Sequence, residues 1–371
     1  MLAFCRLPPG TSRQPSQRSR VIKRLVEQEA PGVRDLWETF TTNRGDIPRY
    51  LMNPARQTAA YLAGFHLANA ARITSAFTRA RTWAPDALQT DPGQPGRIRI
   101  FDPGCGTAAM SQALLHMPWL VPADRPVSLW LTDLRSRFLQ AAEHGLRAEQ
   151  GERQLIIHTS AKGIGEATVR HLQQTGDETA LDLICCGYLW NELKPNRAAR
   201  GRLLRLLEAG ARAPHRTLVA LAEPANQYLA REAMELRDRL VQMGYRIIYP
   251  CPGSAPCPML RRSRDWCYSE FLWNRPPAME RLDRLVRRNR ARLHSAVWIL
   301  TNDQQTPLPT VSDKGPVLVG RPLKKGSARA EWLLCEDREL KRINGPARGQ
   351  SEPLRGTRQQ GRIRPAKAPQ R

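Results

Sequence analysis

The chain has 371 residues, with 58 Lys and Arg against 34 Asp and Glu, a net charge of +24. That length provides an ample core and room for two or three domains, and that charge points to a polyanionic partner. No run of 18 apolar residues occurs, so neither a transmembrane helix nor a membrane partner is expected.

The charge is unevenly spread. Met1–Arg24 holds six basic residues and no acid, while Gly345–Arg371 holds seven basic residues and only Glu352. The two tails carry about half of the net charge, so a folded basic surface is expected as well. Most of the positive charge is Arg, whose planar fork suits phosphate. The start, MLAFCRLPPG, lacks a secretory apolar core. Residues 1–20 read as a disordered basic tail, and residues 21–90 as a helical region. Within the latter, Tyr50, Leu51, Tyr61, Leu62, Phe65, Leu67 and Ile73 stand at roughly helical spacing.

After the Pro/Gly linker Ala84–Gly96, strands and helices alternate. Strands are expected at Arg97–Phe101, Val127–Thr132, Leu155–His158, Leu181–Cys186, Thr217–Ala222 and Arg246–Tyr249. Helices are expected at Thr107–His116, Ser136–Ala148, Thr168–Thr175, Arg200–Ala213 and Tyr228–Met243. The rhythm implies an α/β fold with a mostly parallel, doubly wound sheet and ligands at the strand C-termini. The first strand runs into FDPGCGT, a D-x-G-x-G turn in which Gly104 and Gly106 let backbone N–H groups approach a ligand. Asp133 follows the second strand, where an acid can accept hydrogen bonds from ribose hydroxyls.

Strand, D-x-G-x-G, helix, strand and acid resemble the Rossmann-like S-adenosylmethionine methyltransferase fold, with a nicotinamide-binding domain as the rival. The resemblance implies that Asp102, Gly104, Gly106 and Asp133 contact S-adenosyl-L-methionine. His158, Thr159 and Ser160 stand where that fold usually carries an acid after its third strand. The fourth strand ends in CCGYLWNEL, which is neither an Asn-Pro-Pro-Tyr nor a Pro-Cys motif, and it supplies no identifiable catalytic residue. Asn191 and Glu192 line the cofactor site or cap a helix. Cys185 and Cys186 read as core residues.

The cysteines of YPCPGSAPCPMLRRSRDWCYSEF are spaced C-x5-C-x9-C, with Cys335 distant in EWLLCEDREL. Zinc knuckles use tighter spacing. Four thiolates from irregular loops suit an iron–sulfur cluster better, with three unrelated thiols as the plain alternative. C-P-x4-C-P-M, then D-W-C-Y, then a strand-borne Cys, resembles the methyltransferase-like small-ribosomal-subunit assembly protein family. Arg49-Tyr50-Leu51, the Asp102–Thr107 turn, Asn191-Glu192-Leu193 and GRPLKKG…WLLC are similar too, so the resemblance runs from Tyr50 to Cys335. It implies a [4Fe–4S] cluster on Cys251, Cys257, Cys267 and Cys335, with the small ribosomal subunit and its rRNA as partners. Gly253 stands where relatives often show His.

Pro277–Leu293 reads as a helix with Arg281, Arg284, Arg288 and Arg292 along one face, a candidate phosphate-binding ridge. Strands follow at Ser295–Leu300 and Val317–Gly320. Lys324 and Lys325 are expected in a basic loop before Cys335, and residues 345–371 form a basic tail that orders on RNA. The expected organisation is therefore 1–20 tail, 21–90 helical region, 91–250 methyltransferase-like domain, 251–344 iron–sulfur and RNA-facing region with β structure, and 345–371 tail. An active rRNA methyltransferase and a zinc-stabilised RNA-binding module are the alternative functions. The Arg-rich, Lys-poor composition suggests a bacterial cytoplasm, with the mitochondrial matrix as the alternative.

Overall fold

The computed structural model describes residues 15–41, 54–89, 96–165, 181–251, 253–309, 317–325, 329–336 and 338–346. Tyr50 and Leu51, the expected helix Thr168–Thr175 and most of both tails lie outside the described residues. The chain forms two compact units. One comprises Met1–Thr74, Gly96–Ile164 and Leu272–Leu293; the other comprises Ser75–Pro95, Gly165–Phe271 and His294–Arg371.

In the first unit, helix α1 (Pro15–Thr41) starts inside the stretch expected to be disordered. Helix α2 (Pro54–Tyr61) passes through a π-helical turn, Leu62–His66, into α3 (Leu67–Trp83). Strand β1 (Ile98–Pro103) is buried at every position, as its apolar run predicts. It pairs in parallel with β2 (Val127–Thr132), and β2 pairs in parallel with β3 (Leu155–Ser160). Helix α4 (Ala109–Leu115) follows β1, and α5 (Ser136–Glu149) follows β2.

Val26, Ala30, Val33 and Leu36 recur along one face of α1. They pack with Ala60 and with Met279 and Leu282 of α8 (Pro277–Leu285), and Val286 just beyond it. The approach is close: a Cβ added at Gly64 would lie 2.7 Å from Val33 Cγ1. A buried ion network fixes the end of α8. Asp283 Oδ1 accepts from Arg290 Nε at 2.5 Å, and Oδ2 accepts from Arg275 Nη1 at 2.7 Å and from the Arg290 backbone N–H at 3.1 Å.

In the second unit, β4 (Leu183–Gly187) pairs in parallel with β5 (Leu218–Glu223). Strand β8 (Arg292–Thr301) runs antiparallel to both β5 and β6 (Arg246–Tyr249). Short strand β7 (Ser269–Leu272) also joins β8. Helices α6 (Arg197–Ala211) and α7 (Gln227–Gln242) link the parallel strands, each started by an Asn side chain that caps its first turn. A separate antiparallel sheet holds β9 (Val317–Lys325), β10 (Arg329–Glu336) and β11 (Glu339–Pro346). The fold is thus mixed α/β and Rossmann-like, with parallel pairs β1–β2, β2–β3 and β4–β5 following the alternation of strand and helix. No helix among the described residues is long and apolar enough to cross a membrane.

Two expectations need correction. Lys324 and Lys325 sit in strand β9, not a loop, because Glu331 and Ala330 of β10 pair with them. The helix beginning at Pro277 ends at Leu285 instead of Leu293. Arg287 turns left-handed (φ 54°), and the Arg288 N–H donates to the Asp283 carbonyl at 2.8 Å. Arg290 is drawn into the core by Asp283, so the chain cannot remain helical. Asp283→Ala would strand a buried guanidinium and is expected to cost ~3–5 kcal/mol in denaturant melts, whereas a loss below 1 kcal/mol would show that the network is dispensable.

Candidate functional site

In the first unit, the turn after β1 contains three left-handed residues, Gly104 (φ 64°), Gly106 (φ 56°) and Ala108 (φ 59°). Glycine meets that demand without strain. The Cys105 N–H donates to the Thr132 carbonyl at 2.9 Å, which pins the turn to the end of β2. Asp133 holds it from the same side: Oδ2 accepts from the Gly106 N–H at 3.0 Å and Oδ1 from the Arg135 N–H at 2.9 Å. Asp133 therefore shapes the turn as well as flanking it.

Asp102 is buried, and its Oδ2 accepts from the Ser111 hydroxyl at 2.7 Å and backbone N–H at 3.3 Å. Burial raises its carboxyl to about 6, against the opposing pull of those two bonds. This carboxylate anchors α4 beneath the turn. Sequence reasoning missed a polar chain behind the turn. Thr107 Oγ1 lies 2.8 Å from His66 Nδ1, His66 Nε2 meets Gln112 Oε1, and Gln112 Nε2 meets Glu149 Oε2, which also contacts His116 Nε2 at 2.7 Å. Burial lowers His66 to about 4, so the imidazole is neutral and the chain of bonds has one direction. A cavity of about 590 Å³ opens beside Gln112, His116 and Glu149. Nothing in the spacing of a His on an Ala-rich helix signals this network.

In the second unit, β4 leads to Tyr188 (φ 59°), whose N–H donates to the Ala222 carbonyl at 2.6 Å. Glu223 at the end of β5 is fully buried. Its Oε1 accepts from the Trp190 N–H at 2.8 Å and the Asn191 N–H at 3.4 Å, while Oε2 meets the Asn191 side-chain amide. That amide also donates to the Tyr188 carbonyl at 3.1 Å. Asn191 is thereby committed to holding its own turn, while Glu192 lies exposed on it. Cys185 and Cys186 are buried in β4, as expected of core thiols.

Cys251, Cys257 and Cys267 come from the loop between β6 and β7, and Cys335 from β10; all four are unbridged. Burial, followed by the charges of Cys251, Cys257 and Cys335, pushes the Cys267 thiol far up, so the four sulfurs feel one another. Among the described residues, no three or more His, Cys, Asp or Glu side chains are grouped to hold a metal ion. Arg237 of α7 is 2% exposed, and its Nε is a buried donor with no partner.

The expected arginine ridge is dispersed. Arg281 pairs with Glu27 of α1, Arg284 is exposed on α8, and Arg288 lies past the helix end, 5.2 Å from the centre of the Trp37 ring. Arg292 opens β8.

The chain thus has a Rossmann-like α/β fold with a Gly-rich turn after its first strand. Residues 135–313 match the model of the family described as mitochondrial small ribosomal subunit Rsm22. No curated protein matches the chain. Among solved structures, a protein of Listeria monocytogenes described as a class I S-adenosylmethionine-dependent methyltransferase is 12% identical, with a TM-score of 0.38 over 78% of this chain and 88% of that one. The human methyltransferase 10 domain containing protein is 13% identical, with a TM-score of 0.32 over 62% and 80%. A methyltransferase of Pyrococcus furiosus is 15% identical, with a TM-score of 0.30 over 56% and 76%.

Glu223 sets a pH dependence. Burial raises its carboxyl from 4.5 to about 8, outweighing the hydrogen bonds of Asn191. The folded chain then holds a proton that the unfolded chain has released, so stability falls as pH rises through that window. Denaturant melts are expected to show higher stability at about pH 5.5 than at about pH 8.5. Glu223→Gln should remove most of the difference; an unchanged slope would assign the effect elsewhere.

Proposed function

We propose that the chain is a methyltransferase-like, iron–sulfur-binding factor of the small ribosomal subunit that binds its rRNA. The match of residues 135–313 carries this reading, because the matching family is described as a mitochondrial small-ribosomal-subunit protein. The same description favours the mitochondrial matrix over a bacterial cytoplasm. The net charge of +24 supports a nucleic-acid partner.

S-adenosylmethionine would sit on the turn after β1, with Gly104 and Gly106 giving it backbone access and Asp102 and Asp133 holding the turn's shape. Asn191 and Glu192, on the turn after β4, keep the cofactor-binding role that the sequence resemblance implies. No general base is assigned. Asn191 and Glu223 satisfy each other, which supports a binding role for this turn rather than one in methyl transfer.

Cys251, Cys257, Cys267 and Cys335 would hold a [4Fe–4S] cluster. Each iron of such a cluster takes one thiolate, so the four sulfurs need not surround one ion. The unpartnered Nε of buried Arg237 fits a site that receives an acceptor such as sulfide or thiolate. When bound, the cluster would cross-link the β6–β7 loop to β10. The organisation proposed is a methyltransferase-like region at 91–250, a cluster and RNA-facing region at 251–344, a helical region at 21–90, and basic tails at 1–20 and 345–371.

Protein purified without oxygen is expected to contain about four irons and matching sulfide per chain, with a broad absorption band near the blue end that Cys335→Ser loses. One zinc and no sulfide would replace the cluster with the zinc module. RNA contact is tested by the salt dependence of binding to small-subunit rRNA. Arg284→Ala with Arg288→Ala should reduce the slope of log affinity against log salt by about 1 to 2, and Arg281→Ala, already paired with Glu27, by less. Unchanged slopes would move the RNA interface off this helix.

A further inference from the structure

One face of α7 holds the whole three-cysteine loop. Arg231, Met234, Arg237 and Asp238 follow one another at helical spacing along it. Arg231 Nη1 donates to the carbonyls of Arg262 at 2.8 Å and Asp265 at 2.7 Å, and reaches that of Met259 at 3.3 Å; its Nη2 reaches Leu260 at 3.3 Å. The sulfur of Met234 accepts from the Cys267 N–H at 3.3 Å. Arg237 Nη1 donates to the Ala255 carbonyl at 2.6 Å and Nη2 to the Gly253 carbonyl at 3.3 Å, both between Cys251 and Cys257. Asp238 accepts from the Cys257 N–H at 3.0 and 3.1 Å and pairs with Arg237 at 2.5 Å.

Two of these contacts fall on cysteine N–H groups and two on carbonyls within the C-x5-C loop. The guanidinium behind these contacts is buried to 2% exposure, and its Nε is left as a buried donor with no partner. Asp238 supplies part of the negative charge that a buried cation needs, and cluster-bound thiolates would add to it.

We infer that Arg237 is the positioning residue of the cluster: its fork sets the Cys251–Cys257 loop, and its fixed charge, backed by Asp238, sets the reduction potential of the group held there. The inference rests on the cluster reading above. Reduction adds negative charge, so a buried cation favours the reduced form, and its removal lowers the potential.

The test uses the full chain, purified without oxygen, as native protein and as Arg237→Gln and Arg237→Lys. Iron and sulfide are measured first, then the midpoint potential by spectroscopic titration. Arg237→Gln is expected to lower the reduced-to-oxidised ratio at a fixed potential about tenfold, ~59 mV for one electron. Arg237→Lys should stay within about twofold of native. A cluster in Arg237→Gln with the native potential would overturn the inference and leave the cluster standing. Native protein without iron and sulfide would overturn both. If Arg237→Gln assembles no cluster, Arg237→Lys decides: a cluster there supports the role of the charge, and absence from both overturns it.

Discussion

Buried carboxylates that accept backbone N–H groups from neighbouring loops are the constraint on which this structure depends. Asp133 takes the N–H of Gly106, Glu223 those of Trp190 and Asn191, and Asp283 that of Arg290, while half-buried Asp238 takes that of Cys257 in the same way. Loops that must present backbone or thiols to a ligand cannot also satisfy themselves through a regular ladder. A carboxylate with several acceptor sites supplies the missing partners, and burial makes each bond stronger and each loss more costly. In a chain with 58 basic residues, the 34 acids are scarce, and several of them are spent inside.

This use of acids bears on function. Asn191 and Asp102 occupy positions where a methyltransferase-like chain would be searched for ligand contacts, yet both are tied to their own unit's framework through Glu223 and Ser111. The side chains that shape these turns are already engaged by hydrogen bonds. The loop held by α7 extends the same logic: Arg284 is exposed, whereas Arg237 and Arg290 are buried against carbonyls and acids.

Much of the fold was legible in the sequence, because it rests on local patterns. The apolar run Ile98–Phe101, the Gly turn and the acid at 133 announced themselves through strand pattern and turn chemistry, and β2 and β6 fall at the predicted residues. What was not legible depends on distant partners. The helix after Pro277 stops early because Asp283 captures Arg290, a contact that helical spacing cannot reveal. Lys324 and Lys325 form a strand because β10 pairs with them. His66, Gln112 and Glu223 act through residues dozens of positions away, and Arg237 reads in the sequence as one more surface arginine of an amphipathic helix.

The proposed attachment to the small ribosomal subunit is tested most directly by co-sedimentation of the full chain with purified small and large subunits at near-physiological salt. Recovery with the small subunit and little with the large is expected. Equal recovery with both would reduce the protein to a non-specific polycation, and recovery with neither would contradict the ribosomal reading outright.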